Sequence, residues 1–171
     1  MILTGAEIRR LLGTQIFIEP FEERFVNPNS YNLRLADELV VYDDEVLDMK
    51  KAPTTRKITI PDEGFEMQPG RLYLAKTMEW TRTEGLVPML EGRSSIGRLG
   101  LFIHVTAGFG DVGFAGNWTL EMHCIHPIRV YAGTSICQIY YHTVQGEIES
   151  YVGKYQGSRE VIASMMYRDF T

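Results

Sequence analysis

What this chain of 171 residues lacks narrows its function first. No apolar run approaches the roughly 18 residues of a membrane-crossing helix. Positive charge is not in surplus: 17 lysines and arginines face 22 aspartates and glutamates, for a net charge of −5. That balance excludes a general attraction to nucleic acid or to an anionic membrane, so any bound anion must be held by a local cluster. Cysteine is scarce. Cys124 and Cys137 cannot make a zinc site alone, and so sparse a pair points to a reducing compartment. There is no GxxxxGKS/T loop of the P-loop nucleotide binders, and no HxE followed by PCxxC of the zinc-dependent nucleobase deaminases. The opening MILTGAEIRR reaches its charges too early for a secretory signal. Internal repeats and low-complexity segments are also missing. What remains is an expectation of one cytoplasmic domain over residues 1–171, without nucleic-acid or membrane partners. Its 44% hydrophobic and 23% charged residues are those of an ordinary globular protein with a real core.

The chain opens on one helix signal. Thr4 followed by Glu7 reads as a capping box, Ile8, Leu11 and Leu12 fall on one face, and Gly13 is a stop. Short strands are predicted after it: residues 39–43, 57–60, 72–76, 101–106, 117–125, 128–131 and 135–144. Turn-rich segments such as NPNS, PDEG and FGDVGFAGN separate them. Many short strands at this spacing predict a sandwich, barrel or jelly roll rather than a parallel α/β sheet. The last twenty or so residues, Gly-containing and charged early, read as a mobile tail over 152–171 that can cover a ligand.

Three constellations carry chemistry. In the strand around Glu121, Trp118, Leu120, Met122 and Cys124 share one apolar face, while Asn117, Thr119, Glu121 and His123 share the other. A carboxylate there either faces solvent or is placed for use. In GRSSIGR, the guanidiniums of Arg93 and Arg98 bracket two hydroxyls and exposed backbone N–H groups, the set that a polyphosphate needs. The alternative is a turn whose arginines pair with carboxylates such as Glu91. Asp111, in FGDVGF, is either a turn residue or a carboxylate held beside the arginine cradle. His123 and His126 are three apart and point to opposite faces of a strand, which argues against a metal centre. His104 reads as a core histidine.

Taken together, these residues resemble the dCTP deaminase family of the dUTPase-like superfamily. The likeness is an ordered series: PFEERFVNPNSYNLRL at 20–35, PGRLYLAKTMEW at 69–80, EGRSSIGRLGLFIHVTAG at 91–108, the turn 111–114, TLE at 119–121, Gln138, and KYQG at 154–157. The block from 91 to 121 is the most specific part. The resemblance implies a mainly β chain with a short N-terminal helix, in a distorted jelly-roll or β-barrel fold, assembled as a homotrimer with active sites between subunits. It implies dCTP as substrate, Mg2+ on the triphosphate, no metal ligand from the protein and no zinc. Arg93, Ser94, Ser95, Ile96, Gly97 and Arg98 match the phosphate and active-site loop. Thr119, Leu120 and Glu121 match the strand that meets the pyrimidine, with Glu121 as the catalytic glutamate. Asp111 matches the aspartate near the deoxyribose, and Gln138, Tyr151 and Lys154 match nucleotide contacts on the tail side. Ser94, Arg98 and the backbone around Ala107 become the groups that orient the attacking water, and residues 152–171 become a lid. Feedback inhibition by dTTP belongs to the same set of expectations.

The family divides between members that stop at dUTP and bifunctional members that also cleave the triphosphate to dUMP. Gly108 and Phe109 follow the shared HVTA here, as in the bifunctional type. Two positions depart from the pattern. Asn32 stands where an aspartate is usual, and Ser158 stands where a glutamine contacting the nucleotide is expected. The altered tail keeps three other readings in view: a deaminase releasing dUTP, a plain dUTPase, and a trimer that senses nucleotide without turnover.

Overall fold

The computed structural model describes residues 1–103 and 107–170. The histidine at 104 and the end of the strand expected over 101–106 lie outside the described residues. The first helix, α1 (Gly5–Leu11), begins as its capping signal requires, with Thr4 Oγ1 accepting the Glu7 N–H at 3.2 Å. The reciprocal half of the box is not used. Glu7 turns its carboxylate to the Arg10 guanidinium instead, at 2.9 and 2.5 Å. Ile8 and Leu11 are buried, which fastens the helix to the core.

Among the described residues ten strands follow: β1 (Ile16–Glu19), β2 (Tyr31–Tyr42), β3 (Thr55–Thr59), β4 (Phe65–Met67), β5 (Tyr73–Thr83), β6 (Leu86–Gly92), β7 (Leu101–Ile103), β8 (Ala115–Cys124), β9 (Ile128–Val130) and β10 (Ser135–Thr143). A short helix, α2 (Ser94–Gly97), links β6 to β7. The main sheet runs β6-β10-β2-β5-β8-β7, with β1 added to β5 and β3 to β2, while β4 and β9 form a separate pair. Every pairing is antiparallel.

Two long strands curl this sheet. β2 pairs with β10 through residues 31–34 and then with β3 through 38–42. β5 meets β2 in its first half and β1 in its second. Each changes partner where the register shifts, between Leu35 and Leu39 and between Lys76 and Trp80. Such irregularities bend a strand and raise its twist, which is how an open sheet becomes a barrel. The end strands β6 and β7 return into contact, so the sheet nearly closes. Leu33, Leu35, Leu39, Leu120, Met122, Ile139 and Tyr141 fill its interior. The fold is the mainly β barrel that the strand spacing predicts, with an N-terminal helix.

Candidate active site

The site is built on the irregularity in β5. Residues 77–79 leave the ladder with β8 there, and the side chains of Thr77 and Glu79 are buried, where each polar group has to be paired. The Thr77 hydroxyl donates to the Glu79 carbonyl at 2.8 Å and accepts the Trp118 N–H at 3.0 Å. The Asn117 amide donates to the carbonyls of Thr77 and Met78, at 2.9 and 3.2 Å. The Trp118 indole N–H donates to Thr81 Oγ1 at 2.9 Å. Glu79 is fully buried and accepts the Arg34 backbone N–H at 2.8 Å and its Nε at 2.6 Å. Arg34 also reaches Glu22 at 2.6 Å. Burial alone would lower the Arg34 pKa, but its hydrogen bond to Glu79 and the charges of Glu79 and Glu22 more than offset it and leave it raised. This network fixes Asn117 and Trp118, and so fixes how the next residues of β8 are presented.

Those next residues carry the expected chemistry. Trp118, Leu120, Met122 and Cys124 are buried as the alternation requires, and Thr119, Glu121 and His123 lie on the other face. Asn117 departs from its polar-face reading, being buried by its bonds to the β5 irregularity. Thr119, Glu121 and His123 line a cavity of about 710 Å3, within the size range of small-molecule sites. Ala107 and Asp111 line the same cavity from the β7–β8 connection. Much of its wall is apolar or aromatic: Leu72 just before β5 and Leu74 within it, Phe114 and Trp118, and Tyr151 and Tyr155 from the tail. Phe114 packs against Trp118 with ring centroids 4.7 Å apart and meets Tyr151 edge-on at 6.1 Å.

The arginine loop opens elsewhere. Arg93, Ser94 and Gly97 line a second cavity of about 480 Å3, with Glu91, Leu101 and Phe102. Arg93 donates to the Ser135 carbonyl at 2.9 Å, and Glu91 takes the Tyr140 hydroxyl at 3.3 Å rather than an arginine. Arg98 is exposed at the end of α2, beside exposed Ser95, while Ile96 packs against the core. Phe109 lines both cavities. Asp111 therefore does not sit beside the arginine cradle of its own chain, contrary to one reading of its sequence context. It shares a cavity with Glu121 instead.

The remaining residues singled out from the sequence divide. Leu120 is core. Tyr151 lines the Glu121 cavity. Lys154 pairs with Asp169 at 2.7 and 2.8 Å. Gln138 accepts the Ser30 hydroxyl at 3.0 Å and borders neither cavity. Asn32 is buried, and its side-chain oxygen accepts from the Asn27 amide at 2.9 Å, a structural use of the residue that replaces an aspartate. Ser158 is buried and donates to the Glu160 carbonyl at 3.0 Å. The sequence reading missed Tyr155, Phe114 and His123 as cavity residues. The period-two pattern that placed Glu121 places His123 beside it, whereas nothing local marks the two aromatics.

Residues 2–144 match the family model described as dCTP deaminase-like. The chain belongs to the dCTP deaminase-like family. It is similar to the "dCTP deaminase, dUMP-forming" of Hathewaya histolytica, 61% identical over 171 residues that cover 99% of each chain. It stands equally near the protein of the same description from Clostridium acetobutylicum, at 61% identity and 99% coverage of each. The barrel is similar to the crystal structure of 2'-deoxycytidine 5'-triphosphate deaminase from Agrobacterium tumefaciens, with a TM-score of 0.66 and 23% identity. That match covers 82% of this dCTP deaminase-like chain and 47% of the other. No helix among the described residues is long and apolar enough to cross a membrane.

Proposed function

We propose that this chain hydrolyses dCTP at cytosine C4 and then cleaves the triphosphate, releasing ammonia, dUMP and pyrophosphate. The observation that supports it most is the cavity that brings Glu121, Thr119 and Asp111 together under an aromatic wall. In the first step Glu121 takes a proton from water as the oxygen bonds to C4. Glu121 passes that proton to N3, then takes the remaining proton of the new C4 hydroxyl as the carbonyl forms and delivers it to N4, and the C4–N4 bond breaks to release ammonia. Thr119, two residues before Glu121 on the same strand face, is placed to meet the pyrimidine edge. In the second step a water attacks the α-phosphate in line and expels pyrophosphate, with Asp111 as the carboxylate that places that water. Gly108 and Phe109 support this bifunctional course over release of dUTP, and so do the dUMP-forming relatives.

The triphosphate needs cations, and among the described residues no lysine or arginine lines the Glu121 cavity. Arg93 and Ser94 line the other cavity, so the reading places the Arg93–Arg98 loop of one subunit against the Glu121 cavity of the next, in a homotrimer. Magnesium enters with the nucleotide. Among the described residues no three His, Cys, Asp or Glu side chains gather to hold a metal, which leaves phosphate oxygens and water as its ligands and charge neutralisation on the triphosphate as its chemistry. The setting is cytoplasmic pyrimidine deoxynucleotide metabolism.

The test incubates the purified protein with dCTP and Mg2+, and separately with dUTP, and resolves the products by ion exchange. Conversion of dCTP to dUMP is expected. Accumulation of dUTP would reduce the activity to deamination, and consumption of dUTP alone would leave a dUTPase. Glu121→Gln is expected to lower kcat for deamination at least ~10²-fold, the lower end of general acid–base contributions, with triphosphate binding retained. Undiminished deamination in that variant would remove Glu121 from the mechanism.

A further inference from the structure

Among the described residues, β7 pairs with residues 122–124 of β8, and no strand pairs with the far edge of β8 over its first half. The tail takes that edge. The Tyr151 N–H donates to the Val112 carbonyl, the Gly157 N–H to the Ala115 carbonyl and the Asn117 N–H to the Ser158 carbonyl, each at 2.8 Å. Further on, the Ile162 N–H donates to Thr119 Oγ1 at 3.2 Å. Between Tyr151 and Gly157 the tail backbone turns away, with the Gln156 N–H donating to the Gly153 carbonyl at 3.2 Å. The Gln156 side chain spans the gap. Its Nε2 donates to the Gly113 carbonyl at 2.8 Å and to the Tyr151 carbonyl at 3.4 Å, and its Oε1 accepts the Ala115 N–H at 2.8 Å. A primary carboxamide carries a donor and an acceptor side by side, as a strand backbone does, so it can stand in for one residue of the ladder.

A second feature of β8 fits the same purpose. A Cβ at Gly116 would lie 2.9 Å from the Ser158 carbonyl oxygen and 3.2 Å from its nitrogen. The tail backbone can pass here only because residue 116 has no side chain.

We infer that Gln156 is a positioning residue: clasped to Gly113 and Ala115, with the Ser158 backbone seated over Gly116, it sets the register in which the tail closes the Glu121 cavity. Tyr151, Tyr155, Ser158 and Ile162 are the cavity residues this register delivers, and Gln156 itself does not line the cavity. The inference rests on the reading of that cavity as the nucleotide site. It also shows why Ser158 need not be glutamine: the residue is spent on packing the tail, and the tail glutamine that matters structurally lies two positions earlier.

The test is a double-mutant cycle on the full chain with Gln156→Ala, Gly116→Ala and both together. Nicking by trypsin at Lys154 and Arg159 reads tail release without needing activity, and dCTP kinetics are read beside it. Each single change is expected to speed nicking roughly tenfold, as loss of one or two hydrogen bonds would. KM should rise by a similar factor with kcat changed less than about threefold. The double variant should go less than about threefold beyond the larger single, because both changes break one clasp. Fully multiplicative effects, unchanged nicking, or a fall in kcat with nicking unchanged would each overturn the assignment. If Gly116→Ala does not fold, Gln156→Glu replaces it. That variant keeps the acceptor and loses the donor; nicking between the parent and Gln156→Ala supports the clasp, and nicking equal to the parent overturns it. Should the parent chain not turn over dCTP, the functional reading fails while the nicking cycle still decides the clasp.

Discussion

On its sheet side, the Glu121 cavity rests on bonds that water does not reach: Thr77 to Trp118 and Glu79, Asn117 to the carbonyls of β5, and the Trp118 indole to Thr81. On its tail side, part of the hold lies at the surface: the Gln156 amide on Gly113 and Ala115, and Lys76 Nζ donating to the Arg159 carbonyl at 2.7 Å. Buried bonds cost most when broken, because the partner left behind has no water to turn to. Exposed bonds exchange with solvent at little net cost. One wall of the site is therefore part of the fold, and the other can open and close with the fold intact, which is what a substrate that must enter and a product that must leave both require.

The largest effect should come from the sheet side. Glu79→Ala strands the Arg34 guanidinium, only 11% exposed, with Glu22 as its remaining carboxylate. Breaking a buried charge pair in this way costs about 3–5 kcal/mol. Urea unfolding at fixed chain concentration is the measurement, since assembly shifts apparent stability. A loss under about 1 kcal/mol, the range of an exposed pair, would show that this wall is no firmer than the other.

Thr77→Val should come next. It preserves shape but removes the hydroxyl that both donates to Glu79 and accepts from Trp118. A buried group left without its partner costs about 1–3 kcal/mol. Unlike Glu79→Ala, the change lies directly beneath β8, so turnover of dCTP should fall more than the loss of folded protein accounts for. Turnover that simply tracks the folded fraction would mean the network supports the fold without placing Glu121.

Much of this contrast could not be read in the sequence, for physical reasons. Alternation around Glu121 gave the right face because a strand half-buried on one side must alternate, and GRSSIGR, singled out by its residue types, lines a second cavity. β6 went unmarked because Pro88 reads as a strand breaker. In the structure β6 ends the sheet and, among the described residues, β10 is the one strand it pairs with; its outer side meets residues 108–110, where the Leu90 N–H donates to the Gly108 carbonyl and the Pro88 carbonyl accepts from Gly110. β2 was recognised only at its end, because Arg34, Asp37 and Glu38 interrupt its apolar run. Arg34 is buried by a partner 45 positions away, a pairing that no local window contains. The separation of the arginine loop from the Glu121 cavity is likewise a property of the closed barrel and not of any motif.

A pH series sharpens the comparison with a smaller effect. Burial pushes the Cys137 thiol and the Tyr141 phenol well above their ordinary values, with the Glu79 charge adding to the shift at Cys137. The folded chain keeps protons that the unfolded chain releases, so the stability these groups contribute is full below the unfolded thiol pKa of about 8.5 and declines above it. The slope is about 1.4 kcal/mol per pH unit for the thiol, and it steepens near pH 10 as unfolded tyrosines ionise. Cys137→Ala should flatten the decline between pH 8.5 and 10. The Gln156 clasp holds no ionisable group, so tail nicking, measured against a denatured control, should stay level from about pH 7.5 to 9.5.

The smallest global effect belongs to Val161→Ala. Val161 anchors the tail in a small cluster with Val40 and Leu74, apart from the main core. Removing its two methyl groups costs on the order of 1 kcal/mol of burial. If the tail opens separately from the sheet, that cost falls on local opening alone. Trypsin nicking at Arg159 should then quicken about fivefold, the factor corresponding to 1 kcal/mol, while the urea midpoint stays within error of the parent. A midpoint that drops by the full amount would mean the tail unfolds only with the barrel. The cavity would then have two walls of the same kind, and substrate entry would need a different route from the tail side.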